Sequence, residues 1–190
     1  VPPRERDTAR TRRAVLDAAA RAVVAHGAGV SLDVVARHAG VSKGGLLHHF
    51  GSRDALLLEV ANDQADQFFQ AVQSAVDPAD RAPGRLARAY VRVTFDALIE
   101  DTLDVDYVLL VAALSSVPGV TEAMRRDQQR WDAALSADGL DPQRTFLVVR
   151  AADGTAVAGL YEGGYDVDQL RRARELLLAL TRDTGPLVRL

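Results

Sequence analysis

"SLDVVARHAGVSKGGLLHHF", residues 31–50, contains two short helix-forming runs, each opened by a serine, with Gly40 between them. Ser31 is placed to cap the first run, through Ala39, and Ser42 to cap the second, about Lys43 to His49. Neither run is long enough to hold its helix alone in water, so the two must cross and pack on a larger body. Ala36 inside the first, Gly40 at the turn, and Val41 and Leu46 beyond it supply the small and apolar residues of a tight crossing. That is the helix-turn-helix arrangement, whose second helix projects from the body and lies in the major groove of DNA. Two short helices joined by a glycine also occur in globular proteins that never meet DNA, so the turn alone leaves both readings open.

The contents of the second run favour DNA. Lys43 is the only lysine in the chain, against twenty-two arginines. At the start of a capped helix its ammonium can reach a phosphate, or guanine O6 and N7. The backbone N–H groups that follow Ser42 point outward, ready for a phosphate oxygen. Gly44 and Gly45 each weaken the helix by roughly 1 kcal/mol relative to alanine, a loss with no local purpose. Without side chains, however, they let the backbone come close to base edges. His48 and His49 point about 100° apart and have no third ligand at helical spacing, which argues against a metal site. One imidazole is expected on a phosphate or base, and the other beside Phe50.

Charge extends the pattern. The whole chain has a net charge of −3, but residues 1–55 carry nine Lys/Arg, five Asp/Glu and all four histidines, while residues 56–190 carry fourteen Lys/Arg against twenty-one Asp/Glu. The split of about +4 against about −7 suggests a polyanion-facing module joined to one with another task. The domain reading is therefore 1–55 and 56–190, linked by a helix at about 53–76. With no cysteine there is neither a disulfide framework nor a thiolate metal site, which fits a cytoplasmic protein. No apolar run approaches the roughly 18 residues of a membrane span. The opening "VPPRERDTAR" lacks the apolar core of a signal peptide, and its missing methionine suggests numbering that begins inside the native chain.

Apolar residues recur at three and four along nearly the whole sequence, without sustained period-two alternation, so the fold class is all-α. A first helix is expected from about Thr8 to His26, with Val15, Ala18, Ala19, Ala22 and Val23 buried. The two short helices follow. Ser52 opens a long helix to about Val76, and "DPADRAPG" at 77–84 is a loop. Further helices are expected at about 85–101, 105–116, 120–137, 142–161 and 167–183, nine in all.

Residues 12–57, "RRAVLDAAARAVVAHGAGVSLDVVARHAGVSKGGLLHHFGSRDALL", resemble the DNA-binding domain of TetR-family transcriptional regulators. The resemblance lies in a first helix ending in glycine, Ser31-Leu32, Val35-Ala36, Ala39-Gly40-Val41-Ser42, a helix ending His-Phe, and a charged pair opening the fourth helix. The family commonly has threonine at the position of Gly45, tyrosine at Leu47 and lysine at Arg53. Leu47 lacks the phenol that usually reaches a phosphate, whereas Arg53 keeps its charge. With so few side chains to read bases, recognition would lean on DNA shape. The expected DNA-contacting set is Arg12, Ser31, Ser42, Lys43, Gly44, Gly45, His48, His49 and Arg53, with Arg4, Arg6 and Arg10 adding contacts through the N-terminal arm.

The resemblance further implies a regulatory domain that binds a small-molecule effector, a homodimer, and double-stranded operator DNA as partner. Scarce aromatics and one intrahelical acid mark the pocket candidates: Tyr90, Phe95, Tyr107, Trp131, Phe146 and Asp153. Asp153 could instead pair with Arg150. Small residues on the penultimate helix (Ala151, Gly154, Thr155, Ala158, Gly159) and an apolar stripe on the last (Leu170, Ala173, Leu176, Leu177, Leu180) suggest a four-helix interface across a two-fold axis. The alternative is that both stripes face their own core. No nucleophile elbow, metal-ligand spacing or phosphate-cradling loop points to an enzyme, and no cofactor is expected. The functional expectation is a ligand-responsive repressor on a near-palindromic operator. The competing one is a helical adaptor that binds protein and not DNA.

Overall fold

The computed structural model describes the backbone of residues 3–100, 107–162 and 164–188, and the side chains of these except 3–7, 107, 108 and 160. Among the described residues there are nine helices and no strand: α1 (Pro3–His26), α2 (Leu32–Ala39), α3 (Lys43–Phe50), α4 (Arg53–Ser74), α5 (Arg85–Ile99), α6 (Tyr107–Leu114), α7 (Val120–Ala137), α8 (Pro142–Glu162) and α9 (Val167–Leu180). An N-terminal helix-turn-helix domain is followed by a helical C-terminal domain, the all-α architecture expected. α1 starts at Pro3 rather than near Thr8. Proline suits a first helical position because its missing N–H has no bond to lose there.

The serines act as the sequence indicates. Ser31 Oγ accepts the N–H of Val34 at 3.4 Å, Ser42 Oγ that of Gly45 at 3.0 Å, and Ser52 Oγ that of Ala55 at 3.1 Å. Gly40 ends α2 at φ +67°, a left-handed conformation that other residues adopt only with strain, and its N–H turns back to the carbonyls of Ala36 and Arg37. The chain can then reverse within two residues into α3.

Packing divides the chain into two compact units. The first comprises Val1–Asp66 and Asp104–Asp127. The α1 stripe of Val15, Ala18, Ala19, Ala22 and Val23 is buried against Val35 and Ala36 of α2, Leu46 and Phe50 of α3, Leu56, Leu57 and Val60 of α4, and Leu110 and Leu114 of α6. Three alanines on one face let neighbouring helices approach closely, and each leucine sealed there contributes roughly 1.5–3 kcal/mol. Arg13 fastens α1 to α4 with two 2.7 Å bonds to Asp63, while its Nε donates to Asp17 at 2.8 Å. The expected division at residue 55/56 followed charge; packing follows apolar cover instead. α6 ("YVLLVAAL") has no polar face and completes the core around α1.

The second unit comprises Gln67–Leu103 and Gln128–Leu190. Val72, Leu86, Val91, Phe95, Val148, Ala152 and Leu170 form its centre. Two arginines, Arg88 and Arg144, are buried with it. Arg88 donates to Asp80 at 2.8 Å and to the carbonyls of Pro83 (3.0 Å), Ala82 (3.1 Å) and Thr181 (3.0 Å). Arg144 donates to the carbonyls of Gly185 (2.5 Å) and Leu180 (2.8 Å) and to Asp183 at 2.8 Å. Both satisfy carbonyls that the end of α9 leaves without helical partners.

This packing corrects part of the expected two-fold interface. Leu170 and Leu177 are buried within their own unit, and a Cβ on Gly159 would run into the ring of Tyr165. α9 lies against α5, so its most regular leucine stripe is used inside the subunit, and Gly159 makes room for a local aromatic. Ala151, Ala173 and Leu180 also border this core. Gly154 is exposed, as is Leu176 with 68% of its surface free, and Thr155 and Ala158 are half-buried.

Candidate functional site

α3 is an anchored helix with a bare leading edge. Leu46 and Phe50, four residues apart, are buried and fix the helix on the core, while Gly44 and His48 are exposed on the opposite side and Ser42 and Lys43 are exposed at its N-terminal end. Lys43, half-exposed, bonds Asp33 of α2 at 2.8 Å. Beyond its chain neighbours and the backbone of its own helix, no atom lies within 4 Å of where a Cβ on Gly44 would stand, so internal packing does not require glycine there. Gly45 is tighter, with a Cβ reaching 3.2 Å from Ser42 Oγ. The His49 ring is half-buried and edge-on to Phe50 at 6.3 Å, whereas His48 faces outward.

The remaining expected contacts are scattered. Ser31 is exposed at the start of α2, and Arg53 is exposed at the start of α4, bonded to its neighbour Asp54 at 3.2 Å. Arg12 stands apart from the α3 edge: it pairs with Glu59 and lies over the Phe50 ring at 4.9 Å. The side chains of Arg4 and Arg6 lie outside the described residues.

In the second unit a cavity of about 290 Å³ lies among Tyr90 of α5, Gln128, Trp131, Asp132 and Leu135 of α7, and Thr145, Phe146, Val149, Arg150 and Asp153 of α8. Of the six expected pocket residues it gathers four: Tyr90, Trp131, Phe146 and Asp153. Phe95 is not among its walls but sealed in the core. Five positions along α5 turn it about 140° away from Tyr90, so the two could not share one wall. The Tyr107 side chain lies outside the described residues. The Trp131 ring meets Tyr90 at 5.0 Å, Phe69 at 4.8 Å and Phe68 at 5.6 Å between centroids. The Tyr90 hydroxyl donates to Asp153 Oδ1 at 2.5 Å, and Arg150 Nη1 approaches Oδ2 at 3.3 Å. Burial pushes the Asp153 carboxyl above its ordinary value, against the opposing pull of Tyr90 and Arg150. Among the described residues no helix is long and apolar enough to cross a membrane.

Comparison with known families matches residues 15–60 to the model of bacterial regulatory proteins of the tetR family, and residues 84–182, more than half of the chain, to the tetracyclin repressor-like C-terminal domain. The chain belongs to the TetR family. Solved structures agree. The multidrug binding protein EbrR, in complexes with imidazole and with ethidium, is 28% identical; the imidazole complex superposes with a TM-score of 0.65 over 98% of this chain and 94% of that one. A TetR-family member from Streptomyces coelicolor A3 is also 28% identical, with a TM-score of 0.64 over 90% of this chain and 98% of its own. A TetR-family regulator from Marinobacter aquaeolei VT8, at 21% identity, shares the fold with a TM-score of 0.69 over 93% and 97% of the two chains. Comparison with curated protein sequences gives no match.

Within the TetR frame the protein is a DNA-binding transcriptional regulator, and the 15–60 match encloses α2, α3 and their caps. The sequence reading missed most cavity walls: Gln128, Asp132, Leu135, Thr145, Val149 and, as a wall, Arg150. A signal was there. Thr145, Val149 and Asp153 are successive fourth residues on one face of α8, and Gln128 and Leu135 flank Trp131 at three and four on α7.

Proposed function

We propose that the protein is a ligand-responsive repressor that binds a near-palindromic operator as a homodimer, one α3 in each half-site, and leaves it when a small molecule fills the cavity. The observation that carries this reading is the leading edge of α3: Ser42 and Lys43 exposed at the tip, and Gly44 and His48 exposed along the side away from the buried Leu46 and Phe50. A backbone bare at Gly44 and half-bare at Gly45 can approach base edges. Ser42 and the first N–H groups of α3 take a phosphate, Lys43 a phosphate or a guanine, and His48 a neighbouring phosphate. Ser31 and Arg53 clamp the DNA backbone on either side, and His49 positions α3 through Phe50.

The effector site is the cavity, consistent with the small-molecule complexes of EbrR. α7 contributes Trp131 to its wall, and α4 and α7 each run through both packing units, so a change in the seating of either helix has a covalent route to the DNA-binding unit. Shifting occupancy from nearly full to nearly empty requires about 5.5 kcal/mol of differential effector affinity. Dimerisation uses what α8 and α9 leave exposed or half-buried: Gly154, Thr155 and Ala158 with Leu176, joined by Leu147 and Tyr161. As a DNA-bound regulator it works in the cytoplasm.

The test is selection of bound fragments from random duplexes, followed by titration at several salt concentrations. A palindromic consensus is expected, with affinity falling steeply as salt rises. Failure to enrich any duplex, or salt-insensitive binding to another protein, would instead establish the helical adaptor.

A further inference from the structure

The walls of the cavity differ in charge and in polarisation, and both differences have the same sign. Two carboxylates, Asp132 and Asp153, face it against a single guanidinium, Arg150. Asp132 is exposed and accepts a bond from Gln128 at 2.8 Å. Asp153 lies deeper, held by the Tyr90 hydroxyl at 2.5 Å, so one oxygen is fixed while the other meets only the longer 3.3 Å approach of Arg150. Arg150 is half-exposed at the rim and can swing into solvent without leaving a buried charge behind. Behind these groups stands the cluster of Tyr90, Trp131, Phe68 and Phe69, whose ring faces carry partial negative charge. That cluster already attracts one cation, because Arg130 lies over the Phe69 ring at 4.3 Å from its centroid. An anion entering the cavity would gain Arg150 but face both carboxylates. A cation would replace Arg150 at Asp153 and meet the aromatic wall.

We infer that the cavity selects a compact organic monocation, with Asp153 as counter-charge, Trp131 and Tyr90 as aromatic wall, and Arg150 as the resident cation it displaces. This rests on reading the cavity as the effector site, and it adds the chemical class of the effector. Size limits that class: about 290 Å³ is at the lower end of the roughly 300–1,000 Å³ typical of small-molecule sites. A single ring or short alkyl body bearing one substituted ammonium matches it better than an extended polycyclic system.

Trp131 is the sole tryptophan, so intrinsic fluorescence reports on this wall directly. The intact protein is titrated with benzyltrimethylammonium, its uncharged carbon analogue neopentylbenzene, and phenylacetate. The cation should bind about 10-fold or more tighter than the neutral analogue, and phenylacetate most weakly. Asp153→Asn should abolish the preference for the cation while the neutral analogue still binds. Arg150→Gln, on the exposed rim, should tighten the cation severalfold and so tests the inference even if the Asp153 variant folds poorly. Equal affinity for cation and neutral analogue, tighter binding of phenylacetate, or an unchanged preference in both variants would overturn the charge selectivity while leaving the cavity as a binding site. Saturation by none of the three would remove the cavity as effector site and this inference with it.

Discussion

An alanine at Gly44 would meet no atom within 4 Å beyond its chain neighbours and its own helix backbone, so in the free protein it would relieve the helix penalty of glycine without a clash. Gly44→Ala should therefore raise stability by about 1 kcal/mol, read by urea denaturation. In the same variant operator affinity should fall about tenfold or more, because the added methyl stands where the bases must approach. A variant both stabler and fully active would end the assignment of α3. Lys43 makes the complementary case. Its pair with Asp33 is exposed and contributes about 0–1 kcal/mol, so a phosphate can displace Asp33 readily. Asp33→Asn should leave the melting temperature nearly unchanged and increase operator affinity. Lys43→Ala should reduce affinity and flatten the slope of log affinity against log salt by about one.

Among elements, the α5 entry shows how buried charge can organise a loop. Arg88 is nearly sealed, and its guanidinium gathers Asp80, two loop carbonyls and the Thr181 carbonyl after α9. Arg88→Met should lower stability by about 2–4 kcal/mol, since it strands a carboxylate and three acceptors at once. Burial pushes the Asp80 carboxyl up, but the Arg88 side chain and the Ala82 N–H outweigh it and hold the group below its ordinary value of 3.8. A depressed folded value means that Asp80 contributes stability above the unfolded value, lost as pH falls through the lower folded one. Melting temperatures from about pH 5 to about pH 2 should thus fall less steeply in Asp80→Asn than in the parent chain. The α5 network illustrates what the sequence conceals. "DPADRAPG" is legible as a loop from its Pro, Gly and Asp residues, whereas nothing in the spacing of Arg88 distinguishes it from the exposed arginines around it.

For the whole molecule, the decisive quantity is whether two copies associate. Leu176 has 68% of its surface exposed and Tyr161 85%, with Leu147 and Gly154 also facing out on α8, and these are the side chains that the proposed two-fold arrangement would cover. Leu176→Arg should give a monomer by sedimentation at micromolar concentration, with operator binding weakened because two half-sites are no longer held by one particle. Lys43→Ala should lose operator binding but remain dimeric, which separates the two roles. Parent chain sedimenting as a monomer would defeat the two-fold arrangement outright.

The sequence by itself determined the turn at Gly40, the three serine caps and the run of helices, because each depends mainly on interactions within about four residues. It also marked Tyr90, Trp131, Phe146 and Asp153, since aromatics are scarce in this chain and an acid within an otherwise apolar helix is conspicuous in one dimension. Only the tertiary structure decided that Phe95 belongs to the core, that Leu170 and Leu177 are used inside the subunit, that Arg12 answers Glu59, and that α6 joins the N-terminal unit. Each of those is a choice among apolar or charged surfaces of equal local merit. It is settled by which distant helix covers them, and helical periodicity names the face of a helix but not its partner.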